Sequence, residues 1–188
     1  MSAVISPCGK YRYRLERQTS GPGATAVIMV NPSTADAEQD DATIRKLRGF
    51  GDRNQWGRII VGNLFAIRAT DVRELRTACD PVGPENDDHL IRILAEADQC
   101  IVAWGPITKQ PREVRSRFLN VLTLIDGAGL DPYAIGAPAK CGSPRHPLML
   151  AYAEPIVRWH YPVSPTPTPT PLTPGATPCR LTQRSRRS

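Results

Sequence analysis

Continuous apolar runs and regularly spaced apolar residues alternate along the chain, and each pattern predicts a different element. Runs at 24–30, 59–61 and 100–104 are typical of strands that are buried on both faces of a parallel sheet. A weaker run predicts a short fourth strand at 133–135. Apolar and polar residues alternate over 11–16, which predicts a half-exposed strand before the first buried one.

Amphipathic helices fill the intervals between the buried strands. Apolar residues at helical spacing predict a helix over 40–49, a second helix that begins near residue 84, and a third over 111–126. Strands that alternate with such helices are joined by right-handed crossovers and form a parallel sheet with helices on both faces. The pattern therefore predicts an α/β fold, a three-layer α/β/α sandwich with a mainly parallel, four-stranded central sheet.

Polar segments follow each of these strands directly. They are Asn31-Pro-Ser-Thr34, Asn63-Leu-Phe65, Trp104-Gly105 and, after the fourth strand, 142–148. Because ligands of such sheets bind beyond the carboxyl ends of the strands, we expect the four segments to meet at one edge and to form the binding site.

Proline marks the carboxyl-terminal boundary of the folded part. The segment 161–188 holds seven of the 19 prolines, mostly in alternation with threonine, and it contains no acidic residue. Alternating Pro-Thr lacks backbone donors and apolar side chains, so it favours an extended, disordered chain. We predict one α/β domain over 1–160 and a disordered, basic Pro/Thr-rich tail over 161–188, which either stays free or contacts nucleic acid.

The positive charge of the chain lies mainly in this tail. The whole sequence has 24 Lys and Arg against 18 Asp and Glu, a net charge of +6. Four of the arginines belong to the tail, which leaves 20 basic and 18 acidic residues, or +2, in the folded part. A nucleic-acid function must therefore be argued from the strand-end segments rather than from net charge.

Absent patterns disfavour several classes of protein and of site. No apolar run is long enough for a membrane span and the amino terminus does not resemble a secretory signal, so we expect a cytoplasmic protein without a membrane partner. The five cysteines form no Cys-x-x-Cys pair and the three histidines are widely separated, so neither a metal nor a disulfide framework is expected. Glycine-rich phosphate-binding motifs are absent too, and we expect no cofactor.

The first two polar segments carry amide and hydroxyl groups. The amide of Asn31 can orient a water molecule or grip the edge of a base, although it can equally build only a turn with Ser33. Ser33 and Thr34 offer hydroxyls for substrate binding, and Ser33 is also a candidate nucleophile. Asn63 occupies the same position after its strand, and Phe65 is either a stacking wall for a ligand or a core residue.

Cationic, aromatic and imidazole groups complete the candidate site. Arg68 is a candidate clamp for a phosphate or a carboxylate. Trp104 and Gly105 follow the third strand, where the indole either packs half-buried against the sheet or borders the ligand. Arg145 and His146 lie between two prolines. His146 can stabilise a developing negative charge or transfer a proton, unless it is a structural histidine.

Six motifs, taken in order, resemble the domain-of-unknown-function 1643 family of bacteria and phages over about residues 10–150. They are Asn31-Pro-Ser-Thr-Ala-Asp36, Asp40-Asp-Ala-Thr-Ile44, Gly62-Asn-Leu-Phe-Ala-Ile-Arg-Ala-Thr70, Asp80-Pro-Val-Gly-Pro-Glu-Asn-Asp87, Ala103-Trp-Gly105 and Pro144-Arg-His-Pro-Leu148. The family name implies no activity.

The order of the strand-end motifs is also similar, more distantly, to that of the uracil-DNA glycosylase superfamily. This resemblance implies that Asn31 positions the attacking water, that Asn63 reads the base edge and that His146 stabilises the leaving base. Trp104-Gly105 matches the third motif of that superfamily. Asn31 stands where the most active members have an acid, which implies slow catalysis.

The residues support three hypotheses about function. The first is a glycosylase-like hydrolase that acts on a nucleobase in DNA or on a nucleotide, with Arg68 or Arg145 gripping phosphate. The second is a non-catalytic nucleic-acid or nucleotide-binding module that keeps the pocket without the chemistry. The third is a small-molecule hydrolase that uses Ser33.

Overall fold

The computed structural model of the protein describes residues 1–33, 35 and 38–161. Thr34 and, apart from residue 161, the predicted tail lie outside the described residues. The strands of the described part are β1 (Ser2–Ile5), β2 (Arg12–Gln18), β3 (Ala24–Met29), β4 (Arg58–Asn63), β5 (Gln99–Val102), β6 (Pro132–Ile135) and β7 (Ile156–Arg158). The α-helices are α1 (Ala42–Asn54), α2 (Asn86–Ala95) and α3 (Arg117–Gly127).

Four central strands of the sheet are parallel to one another, and the outer strands are antiparallel to their neighbours. The order across the sheet is β1-β2-β4-β3-β5-β6-β7, with parallel pairing from β4 to β6. The predicted mixed α/β class is confirmed, and the four buried strands of the prediction are β3 to β6. The prediction of a four-stranded sheet is wrong, because the described sheet has seven strands. The sequence analysis missed the edge strands β1 and β7, which are four and three residues long and largely exposed or half-buried.

Helices cover both faces of the sheet because its central strands bury side chains on both sides. In β3, Val27 and Met29 pack with residues of α1, whereas Ala26 and Ile28 pack with residues of α2 and α3. Each face thus has its own buried apolar cluster. Every residue of β3 is buried as a result, in agreement with its continuous apolar sequence.

The helix boundaries agree with the prediction at some ends and not at others. Asp41 is the N-cap of α1, and its Oδ1 accepts a hydrogen bond from the backbone N–H three residues later at 2.8 Å, as predicted. The helix continues beyond Gly49, which packs closely against Tyr152 instead of ending it. The third helix begins at Arg117, because a separate 3₁₀ turn occupies Arg112–Val114. None of the helices in the described residues has the length and apolar composition needed to cross a membrane.

An extra residue in β2 changes which of its side chains share a face. Consecutive residues of β1 pair with Arg14 and Arg12, so Tyr13 is an additional residue on β2. Such a bulge breaks the alternation of the strand and re-aims the side chain beside it. Arg12 consequently lies on the face of α1, although strict alternation would group it with Arg14 on the opposite face. The predicted strand is confirmed, with Tyr13 and Leu15 buried and Arg14 and Glu16 partly exposed, but Arg12 is buried instead of facing solvent.

The chain leaves β3 and β5 in opposite directions. After β3 it passes through α1 to β4 on one side, and after β5 it passes through α3 to β6 on the other side. Such a reversal opens a crevice at the carboxyl ends of the two strands, and ligands of α/β sheets bind in crevices of this kind. The topology therefore favours a site between the ends of β3 and β5.

Candidate functional site

A cavity of about 580 Å³, called here the large cavity, lies at the carboxyl edge of the parallel strands. Its polar lining residues are Arg12, Asn31, Ser33, Asp41, Thr43, Asn63, Thr70, Asp71 and His146. The structure therefore brings together four residues that the sequence placed in three separate segments, namely Asn31, Ser33, Asn63 and His146.

The side chain of Asn31 is held in one orientation by neighbouring backbone. Its Nδ2 donates to the carbonyl oxygen of Ala69 at 2.6 Å and to that of Pro32 at 3.1 Å. These bonds tie the end of β3 to the loop that follows β4. Because both use the donor side of the amide, Oδ1 is left as an acceptor for a bound ligand or water.

Asn63 ends β4, and its amide nitrogen is buried without a partner. The residue is 2% exposed, and among the described residues Nδ2 has no hydrogen-bond acceptor. A buried donor without a partner destabilises the folded state, so Nδ2 of Asn63 is a candidate donor to a ligand or to a buried water molecule.

Two helix residues that the sequence analysis missed hold the turn after Asn63. Asn86 is fully buried, and its Nδ2 donates to the carbonyl oxygens of Asn63 at 3.1 Å and Leu64 at 3.2 Å. Arg117 donates through Nε to the carbonyl oxygen of Leu64 at 3.0 Å, and its guanidinium pairs with Asp87. Asn86 belongs to the motif over 80–87, which was the available signal. The sequence contains no such signal for Arg117, because an arginine near a helix start cannot be distinguished by pattern from a surface residue.

Burial and a backbone hydrogen bond favour the neutral form of His146, which donates from one nitrogen. Its Nδ1 accepts from the backbone N–H of Leu148 at 3.3 Å, so the neutral ring carries its proton on Nε2. Burial lowers the pKa of His146 below its ordinary value, Lys109 lowers it further, and the charge of Asp41 acts in the opposite direction. The imidazole is thus a neutral hydrogen-bond donor in the wall of the large cavity.

Gly105 brings the end of β5 close to this histidine. Its φ of +76° is a conformation that favours glycine, and a Cβ on Gly105 would lie 3.4 Å from the Cβ of His146. The predicted meeting of Trp104-Gly105 with the His146 segment is therefore confirmed.

Arg12 is the cationic residue of the large cavity, and the sequence analysis missed it. It is 3% exposed, and its Nη1 donates to the carbonyl oxygen of Ala35. Alternation assigned Arg12 to the polar side of β2, whereas the extra residue Tyr13 turns it into the cavity. The bulge at Tyr13 contains no glycine, so no pattern in the sequence predicts it.

Arg68 borders a second, shallow cavity of about 360 Å³ beside the large one. The two cavities share Ser33, Ala69 and Thr70, and Lys10 is a further cation of the shallow one. Arg68 is exposed, and its Nη1 lies 3.5 Å from the carbonyl oxygen of Gly9. Its guanidinium is therefore accessible to an anion from solvent, as the sequence predicts for a phosphate clamp.

Five of the predicted residues that the structure describes do not line the large cavity: Arg68 borders the shallow one, Gly105 lies beside His146, and the others are Phe65, Arg145 and Trp104. Phe65 is 1% exposed and packs in the apolar cluster on the face of α2 and α3, so it is a core residue and not a stacking wall. Arg145 pairs with Glu154 at 3.5 Å. Trp104 is almost wholly buried and packs edge-on against Trp159, with ring centroids 5.5 Å apart. Trp104 instead borders a smaller cavity that His146 also lines.

The arrangement provides neutral hydrogen-bonding groups, one buried cation and the carboxyl groups of Asp41 and Asp71 around a space that accepts a small polar molecule. Within the described ranges, no group of three or more His, Cys, Asp and Glu residues could hold a metal ion. A model of the family described as "Protein of unknown function (DUF1643)" matches residues 12–148, a range that includes every residue lining the large cavity. No curated protein and no solved structure matches the chain.

Proposed function

The chain belongs to the DUF1643 family, and we propose that it is a uracil-DNA-glycosylase-like hydrolase that cleaves the N-glycosidic bond of a nucleobase in a nucleotide or in DNA. The observation that carries the proposal is the shared position of Asn31, Asn63 and a neutral His146 in the wall of one cavity. These three residues are the ones to which the superfamily resemblance gives roles in water positioning, substrate binding and stabilisation of the leaving group.

The reaction needs two groups that act at opposite sides of the scissile bond. The bond between the sugar C1′ and the base nitrogen breaks, and the electron pair leaves with the base. Water forms the new C1′–O bond while one of its protons hydrogen-bonds to Oδ1 of Asn31, and that proton is then lost to solvent. His146 donates its Nε2–H to the base anion and stays neutral, so the preorganised hydrogen bond lowers the barrier.

An amide at position 31 makes the reaction slow. A carboxylate orients water and also accepts its proton, whereas the amide of Asn31 only orients it. The bonds from Nδ2 to Ala69 and Pro32 hold that amide in place before substrate binds. The design favours positioning over base catalysis.

The charges around the site suit a phosphate outside the large cavity rather than within it. Asp41 and Asp71 line the large cavity together with Arg12, whereas Lys10 and Arg68 line the shallow cavity. A sugar therefore fits the large cavity, and its phosphate fits the shallow one. This arrangement supports a nucleotide or a nucleic acid as the substrate in preference to a free base.

The test is release of free base from nucleosides, nucleotides, and DNA that contains uracil, a mismatch or a modified base, measured by mass spectrometry. We expect Asn31→Ala and His146→Ala each to reduce release at least about 100-fold. Asn120→Ala and His160→Ala are matched controls, because both residues are exposed and neither lines the cavity, so they should leave release unchanged. Release should not fall between about pH 7 and 8, since a histidine whose pKa is lowered from about 6.5 stays neutral there.

Other outcomes would favour the other two hypotheses. Binding without release, sensitive to salt and unaffected by Asn31→Ala and His146→Ala, would show a nucleic-acid-binding module. Release that survives both substitutions but is lost in Ser33→Ala would show a hydrolase with a serine nucleophile. The geometry does not favour that last outcome, because no hydrogen bond joins Ser33 to His146 in the described part of the chain and Nδ1 of His146 is occupied by Leu148.

A further inference from the structure

A third cavity, of about 240 Å³ and called here the small cavity, lies between the carboxyl ends of β3 and β5. Its apolar walls are Val30, Val72, Trp104, Pro106 and Met149. Val30, Val72 and His146 line the large cavity as well, so the two cavities adjoin at His146. Met149 is 74% exposed, so a ligand can enter the small cavity from solvent past a flexible side chain.

Buried polar atoms of two lining residues lack partners. Gln110 is 3% exposed, and neither Oε1 nor Nε2 has a hydrogen-bond partner in the described structure. The same holds for Nε1 of Trp104, which is also buried. Folding thus removes one donor of Trp104 and a donor–acceptor pair of Gln110 from water without giving them new hydrogen bonds. A bound ligand would supply these hydrogen bonds.

The backbone that carries Gln110 and the indole of Trp104 are both held in position. The backbone N–H of Gln110 donates to Ile107 at 3.0 Å, and its carbonyl oxygen accepts from Nε of Arg115 at 2.9 Å. The indole of Trp104 packs against Trp159 and Phe118, with ring centroids 5.5 Å and 6.1 Å away. The indole N–H and the main chain at Gln110 are therefore preorganised, which favours binding of one complementary shape.

We propose that the small cavity binds a planar heterocycle with a cyclic imide edge, as in a pyrimidine-2,4-dione. The carboxamide of Gln110 forms two parallel hydrogen bonds with the ring N–H and one carbonyl, and the indole N–H of Trp104 donates to the other carbonyl. The apolar walls cover the faces of the ring. No charged group is required for recognition.

This inference rests in part on the proposed function and deepens it. With the base in the small cavity and the sugar in the large one, the bond between them lies at His146, the one polar residue among the three that line both cavities. Gln110 then reads the base, a role that the superfamily resemblance gives to Asn63. The two residues line different cavities, so variants separate the two assignments.

The experiment is an NMR titration of the full chain with 1-methyluracil and 3-methyluracil, followed at the indole N–H signal of Trp104. The two isomers have the same size, but the N–H of 1-methyluracil lies between two carbonyls, whereas that of 3-methyluracil has a carbonyl on one side only. Only 1-methyluracil can therefore satisfy Gln110 and Trp104 together. We expect 1-methyluracil to shift the signal and 3-methyluracil to bind at least tenfold more weakly. Gln110→Leu should weaken binding of 1-methyluracil at least tenfold, whereas the exposed control Gln18→Leu should leave it within twofold.

Equal affinity for the two isomers, no binding of 1-methyluracil, or unchanged binding in Gln110→Leu would each overturn the proposal. If Gln110→Leu does not fold, Gln110→Glu replaces it, since a carboxylate cannot donate to the carbonyl and should abolish the preference for 1-methyluracil. Binding that Gln110→Leu abolishes, in a protein that releases no base, would support the small cavity and contradict the glycosidic reaction. Base release that Gln110→Leu does not change would contradict the small cavity alone.

Discussion

Among the described residues, polar side chains have hydrogen-bond partners at one end of the parallel sheet, and several buried ones lack them at the other. At the amino end, Arg14 makes two hydrogen bonds with Glu96 at 2.7 and 2.6 Å, and Arg58 adds a third at 3.1 Å. Asp98 accepts there from the backbone N–H of Ala24 at 2.8 Å, which ties the start of β3 to the end of α2. Polar groups at this end satisfy one another.

At the carboxyl end, buried polar atoms of Asn63, Trp104 and Gln110 have no partner in the described residues. Folding alone would favour apolar residues at these three positions, because each unpartnered group has lost its water. The difference teaches that one end of the sheet is built for stability and the other is left incomplete for a ligand. Substitutions at the amino end should therefore reduce stability without changing binding. Substitutions of the unpartnered residues at the carboxyl end should reduce binding without reducing stability.

The largest expected effect on stability comes from Asn86, a carboxyl-end amide whose Nδ2 makes two hydrogen bonds within the protein, although its buried Oδ1 has no partner in the described residues. Asn86→Leu removes both hydrogen bonds to the turn after Asn63 and should reduce the free energy of unfolding by about 2 kcal/mol. Urea denaturation measures the change, with Asn120→Leu on the exposed side of α3 as the control. A change below that of the control would mean that the turn does not depend on Asn86.

A smaller effect of the opposite sign is expected at Asn63. Asn63→Leu removes an unpartnered buried donor, so the ligand-free protein should gain about 1 kcal/mol in its free energy of unfolding. The same variant should lose base release, because the substrate loses its donor. Thermal unfolding and the release assay give the two readouts, and a destabilised variant would instead identify Asn63 as structural.

The smallest expected effect lies at the amino end. Glu96→Gln weakens pairs with Arg14 and Arg58, which are accessible to solvent, so the loss at neutral pH should be about 0.5 kcal/mol. The hydrogen bond from Arg14 holds the pKa of Glu96 below its ordinary value. The stability contributed by Glu96 is therefore present above about pH 4.3 and is lost as the pH falls through the lowered pKa.

Denaturation between pH 2 and 7 tests this expectation. The stability of the unsubstituted protein should fall more steeply below about pH 4.3 than that of Glu96→Gln. Parallel curves would show that the amino-end network adds nothing to the stability.

The sequence predicted correctly those elements whose local pattern has a single physical cause, such as buried strands and helix caps. The runs at 24–30 and 100–104 are apolar because both faces of their strands are covered, and the residues after them line cavities because parallel strands end at a common edge. Asn31, Asn63 and His146 were found in this way. Asp41 was found as well, since a helix start needs a capping acceptor.

The residues that were missed depend on contacts between distant segments. Arg12 lines the cavity only because β1 pairs with β2 around an extra residue, and such pairing has no local signal. Gln110 lies in a short irregular connection between two 3₁₀ turns, where no periodicity separates buried from exposed positions. Phe65 was misjudged for a related reason, because the chain after β4 turns back into the core instead of continuing along the edge.

The shared wall at His146 has a consequence for ligand chemistry. A sugar-like fragment in the large cavity and an imide fragment in the small one would each bind weakly, yet they would contact the same imidazole from two sides. Joined by a short linker, they would bind as one molecule, because attachment of the first fragment raises the effective concentration of the second. If the bond in that linker cannot be cleaved, the joined molecule would be an inhibitor that binds more tightly than either fragment alone.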